Sequence, residues 1–93
     1  MKKIKSITII GRRWFDKING NTYFSSVGLV DGVPVVNIHF QYGYGEQYEH
    51  ETWKEICKVA KISNNDAYGY SYCKSNNINY YNTVSDVARR KDL

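Results

Sequence analysis

The chain has 93 residues, 42% of them hydrophobic and 15% aromatic, nine of these tyrosine, with a formal net charge of +4. That length supports one domain, residues 1–93, around one modest core. The hydrophobic share excludes a disordered chain, and the positive sign excludes a polyanionic mimic of DNA.

In chain order, Ile4 to Phe15 is rich in isoleucine and aromatic residues and reads as a first strand, with Gly11 marking a bulge or a close backbone approach. Asn19-Gly20 is a turn. Thr22 to Val30 alternates Tyr23, Val27 and Leu29 with Phe24, Ser26 and Gly28, and Asp31-Gly32 then forms a two-residue turn of the kind that matches strand twist. The third strand runs from Val33 to Tyr42. Its even positions Val36, Ile38, Phe40 and Tyr42 are expected on the core, and Val35, Asn37, His39 and Gln41 on the other side.

Glu46 to Ile62 has helical spacing, with Tyr48, Thr52, Trp53, Ile56, Cys57, Val59 and Ala60 as the apolar stripe. Acids open it and lysines close it, as the helix dipole favours, and Asn64-Asn65-Asp66 stops it. Ala67 to Asn82 is polar and tyrosine-rich. Tyr68, Tyr70 and Tyr72 alternate there with Gly69, Ser71 and Cys73, ahead of a Ser-Asn-Asn turn near residue 76. Asn79 to Val87 reads as a fourth strand in preference to a short helix capped by Thr83 or Ser85, because β-branched and aromatic residues dominate. The expected fold is α+β: a three- to four-stranded antiparallel β-meander with one helix across one face, in the order β-β-β-α-β.

Chemistry-bearing motifs are few. Cys57 and Cys73 have no second pair and no adjacent histidine, so neither zinc nor another metal is expected, and Cys57 belongs to the helix stripe. His50-Glu51 lacks the second histidine of HExxH. Gly43 and Gly45 flank Tyr44 where strand turns into helix. They lack the lysine or third glycine of phosphate loops, and Glu46 would repel an anion, so a structural role is expected. No catalytic residue, cofactor or enzyme activity is expected. The start MKKIKSITII runs directly into GRR, so no leader, long apolar run or membrane partner is expected, and a reduced cytoplasmic protein is.

The segments GRRWF (11–15), GNTY (20–23), the DG turn, YGYGEQY (42–48) and DVARRKDL (86–93) resemble a family of small bacteriophage and prophage accessory proteins. The resemblance spans nearly the whole chain, with residues 62–80 the least matched, and carries no functional residue with it. It implies a viral protein made in the cytoplasm of a bacterial host.

Charge is distributed unevenly. Residues 1–20 hold Lys2, Lys3, Lys5, Arg12, Arg13 and Lys17 against Asp16 alone, whereas residues 18–53 hold four acids and no lysine or arginine. Arg12, Arg13, Trp14 and Lys17 would join Arg89, Arg90 and Lys91 in one patch if the first and last strands are neighbours. Of the adjacent Trp14 and Phe15, one must face away from the core. Tyr44, Tyr70 and Tyr72 are the surface tyrosines expected to dock a partner. The leading expectation, which rests on the resemblance, is a binding protein of the anti-defence (anti-CRISPR-like) or host-takeover class, acting on a bacterial host protein or nucleoprotein complex. The alternative is nucleic-acid binding through the basic and aromatic patch. A homodimer through an exposed third strand is possible on this reading.

Overall fold

Asp31 and Gly32 both take positive φ, 52° and 81°, and this turn sends the chain straight back on itself. The Asp31 carboxylate then accepts the backbone N–H groups of Lys5 and Ser6 at 2.7 and 2.9 Å, tying the turn to the start of the first strand. The computed structural model describes residues 3–62 and 68–93. Its elements are β1 (Ser6–Asp16), β2 (Asn21–Val30), β3 (Val33–Tyr42), α1 (Gln47–Ala60), α2 (Gly69–Ser75), β4 (Asn79–Val87) and a C-terminal 3-10 turn (Arg90–Asp92). Together they make an α+β fold.

The sheet order is β3-β2-β1-β4. The first three strands form the expected antiparallel meander. β4 pairs with β1 in parallel, so the sheet is mixed and the all-antiparallel arrangement is corrected. The reason is directional: β3 and β1 point the same way, and the two helices return the chain to the opposite edge in that same direction, as parallel pairing requires of a long crossover.

Odd residues of β1 and even residues of β2 face the helices. Ile7, Ile9, Phe24 and Val36 meet Tyr48, Trp53, Ile56 and Cys57 of α1 and Cys73 of α2 in the core. β1 pairs with β2 without interruption, so Gly11 marks a close approach and not a bulge. A Cβ at Gly11 would lie 2.4 Å from the Tyr48 ring. One hydroxyl chain crosses this packed layer. Ser26 Oγ lies 2.6 Å from Thr52 Oγ1, which donates to the Tyr48 carbonyl, so both buried hydroxyls are satisfied.

α1 ends two residues earlier than expected. Lys61 adopts the left-handed conformation, and the Ile62 N–H reaches back to the Cys57 carbonyl at 2.9 Å. This is a Schellman-type ending that also packs Ile62 on the core. Asn64 to Asp66, the expected stop, lies outside the described residues. Val59, placed on the apolar stripe by its spacing, is 54% exposed.

α2 was not legible as a helix. Only Gly69 and Cys73, one i,i+4 pair, are buried along its seven residues, too short a repeat to display helical periodicity. Its ending repeats that of α1, with Asn77 at φ 56° and the Ile78 N–H on the Cys73 carbonyl. No helix among the described residues is long and apolar enough to cross a membrane.

Candidate functional site: the outer face of the sheet

Both helices lie on one side of the sheet, and the other side carries the even residues of β1 and the odd residues of β2. Trp14 pairs with Tyr23, and Tyr23 with Tyr42, so aromatic side chains line up across three strands. The Trp14 and Tyr23 rings stack at 5.8 Å and 24°, and Tyr23 and Phe40 at 4.8 Å and 14°. Tyr42 meets the edge of Tyr23 at 5.8 Å. Arg90 extends the stack, its guanidinium carbon 4.6 Å from the centre of the Phe40 ring. Three ring planes thus follow one another, Trp14, Tyr23 and Phe40, with the Arg90 guanidinium over the last.

This stack exists because the two-residue period of β3 is broken. Phe24 pairs with Gln41 and Ser26 with Ile38, so His39 and Phe40 together stand opposite Ser25 as a β-bulge. Val36 and Ile38 keep the core side as expected. Beyond the bulge the pattern reverses, and Phe40 and Tyr42, expected in the core, are 42% and 55% exposed. A second irregularity, between Gly28 and Leu29, adds Val35 and turns it against the core, a further departure from simple alternation. The two bulges and Pro34 also blunt β3 as an edge for pairing with another strand.

Beside the stack lies a shallow depression lined by Ile10, Arg12, Ser25, Val27, Leu29, Asn37 and His39, with Leu93 entering it from the C-terminal turn. Its one guanidinium, Arg12, is exposed. The carboxylates near this face are already engaged. Asp16 accepts the N–H groups of Ile18 and Asn19 and the side-chain amide of Asn19, and that amide above all holds its carboxyl below the usual range. Asp92 pairs with Arg89 at 3.3 Å. Glu49, Glu51 and Glu55 sit on α1, on the other side. Asp16 keeps its negative charge, and the cations Arg12, Arg90 and Lys91 outnumber it, which gives the outer face a positive bias.

The residues marked by sequence separate in space, and Arg89 among them is held in the ion pair with Asp92. Arg12 and Trp14 lie on the outer face, and Arg90 and Lys91 reach it from the tail, Lys91 beside His39 and Phe40. β1 and β4 are neighbours as the expected patch requires, but only Arg12, Trp14, Arg90 and Lys91 of its members share this face. Arg13 departs from it: it points to the helix side, donating to Asp86 at 3.1 Å and to the Gly45 carbonyl at 3.1 Å. It joins β1, β4 and the strand-to-helix junction. At that junction Gly45 takes φ 63°, and a Cβ on Gly43 would lie 2.9 Å from the Phe24 ring. Both glycines thus have the structural role expected of them.

Lys17 is exposed in the β1–β2 turn, beside Phe15. Tyr44 projects at the β3–α1 junction. Tyr70 and Tyr72, expected to share a face, are two residues apart on a helix and diverge. Tyr70 is exposed with its ring edge toward Tyr80, and Tyr72 packs against Trp53 at 5.4 Å. Sequence reasoning put Tyr23 opposite Phe24 without marking it as a site residue, and it missed Phe40, Tyr42 and His39 as well. No glycine or proline marks the bulge that moves them.

The helix side offers polar contacts of a different kind. The Tyr48 hydroxyl donates to Asn82 at 2.6 Å, and the Tyr80 hydroxyl donates to Glu49. Burial first, and for Tyr80 the Glu49 bond next, raises both phenol pKa values. Burial likewise pushes the Cys57 and Cys73 thiols up to about 11. Such groups are held neutral and act as struts. Among the described residues no group of three or more His, Cys, Asp or Glu side chains is placed to hold a metal ion. Comparison with protein-family models, with curated proteins and with solved structures finds no match to this chain.

Proposed function

We propose that this chain is a binding protein, without catalytic chemistry, that holds single-stranded nucleic acid on the outer face of its sheet. The observation that carries the reading is the stack of Trp14, Tyr23 and Phe40 across three strands, flanked by Arg12, Arg90 and Lys91. Single strands expose the flat faces of their bases, and a base adds at the ends of the stack, since Tyr23 is covered on both sides; stacking on an aromatic ring contributes about 1–3 kcal/mol per base with little regard to sequence. Cations beside the rings take the phosphates and make affinity fall as salt rises.

The two tryptophans make the test direct. Trp53 is buried and Trp14 is on the outer face, so quenching of intrinsic fluorescence by an oligonucleotide reports on Trp14. Titration with oligodeoxythymidylate at low salt is expected to quench part of the emission, with affinity declining linearly in log salt. Phe40→Ala, at the end of the stack, is expected to weaken binding about tenfold. Unchanged emission, with no retention of the oligonucleotide at low salt, would overturn the reading.

A second reading keeps the same face and changes the occupant. Ile10 is 41% exposed there, next to Val27 and Leu29 in the depression. Apolar side chains beside aromatic and arginine anchors suit a protein partner. On this reading the chain is a viral anti-defence or host-takeover inhibitor, working in the bacterial cytoplasm on a host protein or nucleoprotein complex. Pull-down from a defence-carrying lysate, with and without nuclease, separates the two. A discrete protein partner that survives nuclease, and is lost with Ile10→Asp, supports the inhibitor.

A further inference from the structure

We propose that the C-terminal turn is a displaceable strap: in the free protein it occupies the seat on Phe40 that a nucleobase takes in the complex, so tail and ligand compete. The inference rests on the nucleic-acid reading of the outer face and adds regulation to it.

The path of the tail carries the argument. β4 ends at Val87, beside Trp14 and on the edge of the sheet opposite β3. Within a few residues the chain has crossed to β3, where Arg90 lies over Phe40 and Leu93 is half-buried in the depression with Ile10, Val27 and Leu29. The turn is closed by the Asp92 and Leu93 N–H groups on the Arg89 and Arg90 carbonyls, at 3.0 and 3.1 Å, and by the Arg89–Asp92 ion pair. The tail thus lies across the face that the proposed ligand needs.

What holds it there is weak. Among the described residues it meets the face through the Arg90 contact on Phe40 and the half-buried Leu93, while the exposed Arg89–Asp92 ion pair lies within the turn, and each of these contributes little alone. Arg90 already supplies what Phe40 would receive from a base: a flat, delocalised plane. A base offers a larger plane, and Arg90, once displaced, stays tethered near the site and free to meet a phosphate. Apparent affinity is then the intrinsic affinity reduced by the fraction of molecules with the tail released.

Labelled oligodeoxythymidylate is titrated into wild-type protein, Leu93→Ser and Arg89→Ala, with thermal melts verifying that all three fold. Leu93→Ser is expected to bind about three- to tenfold more tightly, because the strap loses its apolar anchor. Arg89→Ala is expected to bind about twofold more tightly although it removes a positive charge, the opposite of what a phosphate contact predicts. In NMR spectra the Arg90 Nε–H, shifted by the Phe40 ring in the free protein, should move to a solvent-exposed value at saturation. Unchanged or weaker binding by Leu93→Ser, with wild-type binding intact, overturns the strap and leaves the nucleic-acid reading standing. So does an Arg90 signal that stays shifted in the complex. Absence of binding by both wild type and Leu93→Ser overturns the strap and the nucleic-acid reading together.

Discussion

The two faces of this sheet are written by alternate residues of the same strands, and they are built on different terms. On the helix side, Ile7, Ile9 and Phe24 are fully buried under Trp53 and Ile56. Every buried side-chain polar atom among the described residues has a partner. On the outer side the aromatic rings touch one another yet remain partly open to solvent, and cations stand beside them. The first face gains its free energy from removing apolar surface from water. The second leaves part of that gain unrealised, and it is available to whatever covers the rings. A face that keeps stacked aromatics half-exposed differs from a core in what it does, although its composition is similar.

The largest effect that tests this contrast is in the core. Trp53→Ala should cost about 3–5 kcal/mol of stability, read by denaturant unfolding, because a cavity opens under both helices. Tyr42→Ala, a comparable truncation on the outer face, should cost less than about 1 kcal/mol. Equal losses would break the distinction between the faces.

High pH sharpens it next. The folded protein holds Cys57 and Cys73 as neutral thiols with pKa near 11, above the ordinary value of 9.0. Between about pH 9 and pH 11 the unfolded chain releases protons that the folded chain retains, so stability is full below that window and falls as pH rises through it. Cys57→Ala/Cys73→Ala, though less stable at neutral pH, should show a shallower decline across the window. Neither thiol should react with a disulfide reagent at pH 8 in the folded protein.

Two adjacent arginines divide the faces at single-residue resolution. Arg13→Ala should lower stability by about 1–2 kcal/mol, since it removes hydrogen bonds to Asp86 and to the Gly45 carbonyl, and should leave the salt slope of binding unchanged. Arg12→Ala should leave the melting temperature in place and reduce the salt slope by about one. The smallest effect belongs to Val59→Ser, within about 0.5 kcal/mol, because Val59 faces solvent despite its place on the apolar stripe.

The expected strand ranges show why so much of this fold could be read from sequence. β3 and β4 run from Val33 to Tyr42 and from Asn79 to Val87 as their composition indicates, and the buried residues of α1 follow the apolar spacing. These are signals that repeat over nine residues or more within one segment. α2 offers a single buried i,i+4 pair, so its tyrosines mimic the alternation of a strand.

The candidate site was less legible than the fold. Arg12, Trp14, Arg90 and Lys91 stood out by charge and by the pairing of Trp14 with Phe15, but their assembly depends on residues far apart in sequence. A bulge at His39-Phe40 carries Phe40 out of the core, and it arises from pairing with Ser25 on another strand. Arg13 resembles Arg12 in every local respect, and only its position one residue further along β1 turns it to Asp86 and Gly45.

By itself the sequence determined the α+β class, the β1-β2-β3 meander, the span of α1 to within two residues and the buried stripe from Tyr48 to Cys57, because propensity, turn chemistry and periodicity act within a segment. Tertiary structure alone decided that β4 enters parallel to β1, that α2 is helical, and that Trp14, Tyr23, Phe40 and Arg90 form one stack. Those outcomes follow from strand direction, register and the crossing of the C-terminal turn, which bring together residues separated by most of the chain.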